Sequence, residues 1–193
     1  MQNAGFLRKI ALKIDERFQK KEGLRPIPGT KHSLLMVCFH DYRGEKPVTT
    51  NDQVTIAPGD PVGELHFDNK RIMEIAAIPS ERPLEWRLLE ILKAEFTALA
   101  DAVAAGKLPG PVKGFFGVNV LTVGAKRLGF TLIPLPRGWK RWWLGFWESL
   151  LRIVFYSYKT KSKASLRKTM DPHEVWISSA ELARRYSKRD EQG

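Results

Sequence analysis

Apolar residues at Leu7, Ile10, Ile14 and Phe18 recur at spacings of three, four and four, so the chain opens on an amphipathic helix. Gly23 and the run RPIPG (25–29) end it. From Ser33 the pattern becomes an uninterrupted apolar run, SLLMVCFHDY, bounded by turn residues, which predicts a short central strand. After a polar loop, QVTI (53–56) predicts another strand. APGD (57–60) predicts a type II turn, with Pro at its second position and Gly at its third. VGELHFDN (62–69) then alternates, placing Leu65 and Phe67 on one strand face and Glu64, His66 and Asp68 on the other.

A long helix follows Ser80–Glu81, with Leu88, Leu92, Phe96, Leu99 and Val103 as its buried stripe and Gly106 and Pro109 as its stop. GFFGVNVLTVGAKRLGFTLIPLP (114–136) reads as strand, short helix, strand. WISSAELARRY (176–186) carries a capping box, Ser178 to Glu181, that opens a terminal helix. Strands mixed irregularly with long helices predict an α+β fold. The expected architecture is a small mixed or antiparallel sheet packed by several helices, with an amphipathic Trp-rich helix towards the C-terminus. The predicted organisation is a basic amphipathic helix over 1–30, a single domain over 31–187 and a polar tail over 188–193.

With 193 residues, 43% of them hydrophobic and ten Phe, the chain can bury a core, which excludes wholesale disorder. Cys38 is the lone cysteine, so there is no internal disulfide and no Cys-rich zinc site. Set in an apolar run it reads as a buried, inert thiol, and a reducing, cytoplasmic compartment is expected. The N-terminal segment is broken by charge every few residues and lacks a secretory signal; no apolar stretch approaches the ~18 residues of a membrane span.

Charge changes the picture more than composition does. The net charge of +11 divides into +5 over residues 1–31, −1 over 32–136 and +7 over 137–193. Both ends are basic around a neutral middle, and any anionic partner would meet the ends.

The first candidate chemistry is the polar strand face. Neighbours on one face lie about 6.6–7 Å apart, and a His between carboxylates can act as a general base, so His66, Glu64 and Asp68 are the candidate catalytic residues. His40, at the end of the neighbouring strand with Asp41 beside it, is the side chain that would complete such a site; His40 and Asn69 are the candidate binding residues. Two same-face neighbours could also reach one metal ion, since His and carboxylates suit zinc, but a metal needs three or four ligands and the others must come from elsewhere, so no metal or other cofactor is assigned. The competing reading is the wet face of an ordinary strand, and the sequence leaves both open. His173, in MDPHEVW, reads as a structural loop His. GVNVLTVGAK has six residues between its glycines where a phosphate loop needs four, and no Gly-x-Ser-x-Gly is present.

The second candidate is GWKRWWLGFWESLLRIVFYSYKTKSK (138–163), which holds four of the six tryptophans within nine residues. On a helical wheel its apolar arc passes half the circumference and must be buried against something. The protein's own core, a membrane interface and a partner protein are the alternatives. Trp139, Lys140, Arg141, Trp142, Trp143 and Trp147 are the candidate membrane-interacting residues, since Trp beside Lys/Arg suits an interface and the following KTKSKASLRK suits anionic lipid. The expected partners are an anionic lipid surface or a membrane or envelope protein. Nucleic acid is disfavoured, because no RNP, zinc-finger or helix-turn-helix pattern accompanies the aromatics.

GDPVGELHFDN (59–69), KRLGF (126–130) and DPHEVWISSAELARRY (171–186) together resemble the YkoP-like domain family of bacterial proteins, over roughly residues 33–187. The resemblance implies a link to cell-envelope carbohydrate work, through members joined to polysaccharide deacetylase domains. It supplies no catalytic residues to carry over, although His66 and Asn69 fit its strand motif. The chain therefore reads as an accessory or binding module at the inner face of the membrane, with an enzyme acting on a polar envelope precursor, or a subunit of an envelope complex, as alternatives.

Overall fold

The computed structural model describes residues 12–13, 15–30, 33–119, 122–135 and 173–187. The first helix, α1, covers 12–13 and 15–21 of these. Then follow β1 (Arg25–Pro26), β2 (Leu35–Asp41), β3 (Val48–Thr49), β4 (Thr55–Ile56) and β5 (Pro61–Phe67). After these come α2 (Asn69–Ala77), α3 (Leu84–Ala104), β6 (Gly114–Asn119), α4 (Thr122–Arg127), β7 (Thr131–Pro134), β8 (His173–Ser178) and α5 (Ser179–Tyr186). The fold is α+β, with a mixed six-stranded sheet in the order β1-β2-β5-β6-β8-β7 and a two-stranded ribbon, β3-β4. Among the described residues only β5 and β6 run parallel, and a parallel pair needs a long crossover, which α2 and α3 supply.

Alternation along the strands divides the sheet into two unlike faces. Leu35, Val37, Phe39, Leu65, Phe67, Phe115, Val175 and Ile177 point to one side and pack on Phe96, Leu99 and Ala100 of α3, Ala125 of α4 and Leu182 of α5. This is the main core. Gly117 lets β6 lie close to β5, since a Cβ there would stand 2.8 Å from the Leu65 carbonyl oxygen. The other face carries Cys38, His40, Glu64 and His66 on β2 and β5, then Phe116 and Trp176 on β6 and β8. The β3-β4 ribbon covers its Trp176 end, where Val48, Ile56, Val62 and Trp176 form a separate small core. Ser178 Oγ donates to Asp52, and Asn51 N donates to Thr131 Oγ1 at 2.7 Å, which tie the ribbon's turn to β8 and β7.

The expected elements recur with instructive shifts. Leu65 and Phe67 face the core as their spacing predicts, and Gly59 takes φ 88° in the APGD turn. Ser178 caps α5, accepting from Glu181 N at 2.9 Å, as the capping box requires. Four elements were not anticipated: the two-residue strands β1 and β3, in stretches that read as a helix stop and a polar loop, and α2 and β8. α2 starts at Asn69, straight after β5, because Asp68 leaves the strand to cap it and accepts from Arg71 N at 3.2 Å. The segment holding His173 is β8 rather than a loop; His173 is register-paired with Asn119 and Pro134. The Trp-rich segment, with its predicted helix, lies outside the described residues.

Candidate functional site: a carboxylate between two imidazoles

β2 and β5 pair antiparallel with Cys38 opposite Glu64, Met36 opposite His66 and His40 opposite Val62. His40 is thus the diagonal neighbour of Glu64, and His66 is its next neighbour on the same face of β5; both positions are within reach across a pleated sheet. The contacts follow. Glu64 Oε1 lies 3.0 Å from His66 Nε2, and Glu64 Oε2 lies 3.1 Å from His40 Nε2. The three side chains are between 10% and 23% exposed, so the group is largely enclosed yet still reached by solvent. Cys38 joins them: its Sγ, a ring nitrogen of His40 and a carboxylate oxygen of Glu64 all lie within 4.8 Å of one another.

The surroundings order this group. His40 Nδ1 is 2.8 Å from the Asp41 carbonyl oxygen, and the imidazole edge meets Phe116 at a ring distance of 5.9 Å. Phe116 stacks on Trp176 at 4.4 Å, and the indole Nε1 donates to Glu174 Oε2 at 3.0 Å. On the other flank, Phe18 of α1 meets His66 edge-on at 5.4 Å. Burial pulls the Glu64 carboxyl upward, but hydrogen bonds and charge from His66 and His40 outweigh it and hold Glu64 below the usual carboxylate range. Burial pushes the Cys38 thiol up to about 11, with the Glu64 and Glu22 charges adding to it. Glu174 is raised by burial, against the indole bond and together with the charge of Glu64. Glu64 is therefore held as the anion of the site, between the two imidazoles.

The structure brings together Glu64, His66 and His40, and separates Asp68 from them by role. Asp68 faces the first turn of α2, with Asn69 beside it, and the Asn69 side chain hydrogen-bonds Asp15 of α1. The predicted membrane residues, Trp139 to Trp147, lie outside the described residues. Cys38 is buried, as its apolar run predicts; its place two residues from His40 on one strand was the available sign that both face the same way. Nothing in the sequence pointed to Glu174, Phe116 or Trp176, because their approach depends on which strands are neighbours. A groove of about 520 Å³ between the Pro28–Gly29 turn and α3, lined by Ala94, Thr97, Asp101 and Lys107, lies on the helical side of the sheet. It offers neither His nor Cys.

Asp15 makes the junction of α1 and α2 sensitive to pH. Burial and the neighbouring Asp68 charge push its carboxyl up from 3.8 to about 6, against the Asn69 bonds and His66. A carboxyl raised in the folded state binds its proton more tightly there, so stability falls as pH rises from roughly 4 to roughly 6. Asp15→Asn keeps an acceptor for Asn69 without the charge. It is expected to be more stable than the parent by on the order of 2–3 kcal/mol at pH 7 and equal to it below about pH 4. Urea titrations at the two pH values measure this; a variant less stable at pH 7 contradicts the assignment.

Comparison with known proteins agrees with the strand motifs. The YkoP domain family matches residues 4–186. A protein of Bacillus subtilis (strain 168), named Uncharacterized protein YkoP, is 26% identical over 169 residues, covering 85% of this chain and 87% of that protein. No solved structure matches the chain significantly. A match across nearly the whole chain, taking in α1, both faces of the sheet and α5, establishes that the protein belongs to the YkoP domain family.

Proposed function

We propose that the chain binds and acts on a polar ligand, a hydroxyl- or phosphate-bearing envelope precursor, at the face formed by His40, Glu64 and His66. One observation carries this reading: a low-pKa carboxylate bridges two imidazoles in a partly enclosed, partly open position. Glu64 orients both rings, and an imidazole accepts a proton from a hydroxyl or returns it to a leaving oxygen. The Phe116 ring beside His40 gives an apolar ligand face something to rest on. Envelope chemistry is carried by the family resemblance alone. A thermal-shift screen of sugars, sugar phosphates and inorganic phosphate on the full chain tests the reading. A ligand that stabilises the parent should leave Glu64→Gln and His66→Gln unshifted, both variants staying folded by circular dichroism. Equal shifts in parent and variants would place the ligand elsewhere and sink the proposal.

A second reading, attachment to the membrane surface, has its own support. Ile78 and Trp86 are 56% and 60% exposed on the α2–α3 corner, with Arg82 and Arg87 close by in sequence. Exposed Trp among arginines suits an interface, and both basic ends of the chain suit anionic lipid. No described helix is long and apolar enough to cross a membrane, so attachment would be peripheral. The full chain should float with vesicles of half anionic lipid at low salt, and Trp86→Ala together with Trp142→Ala, Trp143→Ala and Trp147→Ala should weaken flotation. A protein that stays at the bottom of the gradient removes this reading.

A further inference from the structure

We propose that Cys38, His40 and Glu64 form a binding site for one divalent transition metal ion of the zinc type. The inference deepens the reading of this face as the working site and rests on it.

The hydrogen-bond inventory points to a cation. The Asp41 carbonyl can only accept, so His40 Nδ1, 2.8 Å away, carries a hydrogen and donates. In a neutral ring that leaves Nε2 as a bare lone pair. It faces Glu64 Oε2 at 3.1 Å, another acceptor. Two lone pairs opposed at this distance repel unless a positive charge lies between them, either a second ring proton or a metal ion. The arrangement of the other groups favours the metal. Cys38 Sγ converges on the same point, within 4.8 Å of both, and a thiol hydrogen adds little to a carboxylate–imidazole pair, whereas a thiolate is among the strongest zinc ligands.

Geometry agrees. Bonds of 2.0–2.3 Å in a tetrahedral site place donor atoms roughly 3.3–3.8 Å apart, so small side-chain rotations within the observed spread suffice. Cys38 and Glu64 stand directly opposite on paired strands, a rigid mount on two adjacent elements of the sheet. The outer contacts are those that zinc ligands keep: the non-ligating nitrogen of His40 donates to a backbone carbonyl, and His66 holds the second oxygen of Glu64. His66 thereby positions Glu64, and with His40 bound to the metal the acid–base role of the site falls to His66. Charge also balances. On binding, the Cys38 S–H bond breaks and its proton passes to solvent; the thiolate and the Glu64 carboxylate together neutralise the two positive charges. Three protein donors leave a fourth position for water or a ligand oxygen, the arrangement of hydrolytic rather than purely structural sites.

Chelator-treated full-length protein titrated with cobalt(II), followed by displacement with zinc(II), tests this. The expected result is one equivalent bound, with the near-ultraviolet band of a cysteinate–cobalt bond. Cys38→Ser should abolish the band and weaken binding at least about 100-fold, and His40→Gln should weaken it comparably. Should either variant misfold, nitrogen-15 spectra of the parent alone decide, since zinc must shift the His40 ring signals. Absence of the band with no zinc uptake at equimolar metal overturns the proposal, and so does parent-like binding by Cys38→Ser. The two readings separate cleanly. If the metal-free protein still shows a Glu64-dependent ligand shift and takes up no zinc, the bridging charge is a proton and only the metal proposal falls. If zinc binds as described but no ligand effect depends on Glu64, the metal site stands and the catalytic reading falls.

Discussion

Trp176→Ala is expected to lower the unfolding free energy by about 3–5 kcal/mol, the range for removing a large aromatic from a core. Trp176 is wholly buried, stacks on Phe116 at 4.4 Å and takes the edge of Tyr42 at 5.1 Å. Its loss opens a void under the β3-β4 ribbon that Val48, Ile56 and Val62 are too short to fill. A second effect is electrostatic. The indole N–H is the donor that offsets the burial of Glu174, so the variant leaves a buried carboxyl facing the charge of Glu64, and Glu174 should be raised further. Trp176→Phe separates the two contributions. It restores most of the apolar volume but not the donor, and its loss should be about 1.5–3 kcal/mol, the value of a hydrogen bond to a charged group. Urea titration with the slope held common measures both. Equal losses for the two variants would mean that packing contributes little, contrary to the stacking geometry.

Glu95→Ala should destabilise by about 3 kcal/mol, although Glu95 touches neither metal donor nor imidazole. Glu95 is buried on α3, and its two carboxylate oxygens accept the backbone N–H groups of Leu34 and Leu35, the latter at 2.8 Å. These donors open β2, and the Leu34 carbonyl in turn accepts from Asp68 N at 2.8 Å, where α2 is capped. One carboxylate therefore ties α3, β2 and the end of β5 together. Truncation strands two buried N–H groups, each costing about 1–3 kcal/mol. Burial raises the Glu95 carboxyl, against the two backbone bonds and Arg71, so the neutral Glu95→Gln removes an ionisation penalty while it loses one acceptor. It should therefore suffer clearly less than Glu95→Ala. Because β2 carries Cys38 and His40 a few residues further on, Glu95→Ala should also loosen the site, seen as earlier hydrogen exchange in β2. Unchanged exchange there would show that the anchor is local.

Much of the fold was legible because it is written in short-range patterns. Alternation in VGELHFDN assigns Leu65 and Phe67 to the core without reference to any other strand, and the Ser178–Glu181 pair marks a helix start within four residues. α2 escaped because Asp68 continues the strand's alternation while its side chain already serves the helix; period alone cannot tell where one element ends and the next begins. β8 escaped because its apolar run is short and its pairing partners, β6 and β7, lie about 40–60 residues earlier in the chain. Asp68 illustrates the same limit at the site. Same-face spacing grouped it with Glu64 and His66, but the strand stops at Phe67 and the third position is never reached.

By itself the sequence determined which faces are apolar, that Ser178 caps α5, that the ends are basic, and that Glu64 and His66 share a strand face. Those properties depend on residues within a few positions of one another. Only the tertiary structure decided that Cys38 and His40 are the partners of Glu64, and that Phe116, Trp176 and Glu174 stand behind them. That follows from register: Cys38 pairs with Glu64 across 26 positions, and a slip of β2 by one residue would turn Cys38 and His40 to the opposite face. The register is held by the burial of Leu35, Val37, Leu65 and Phe67 on the far side of the sheet, so the apolar face that was readable in the sequence is what sets the cross-strand alignment that was not.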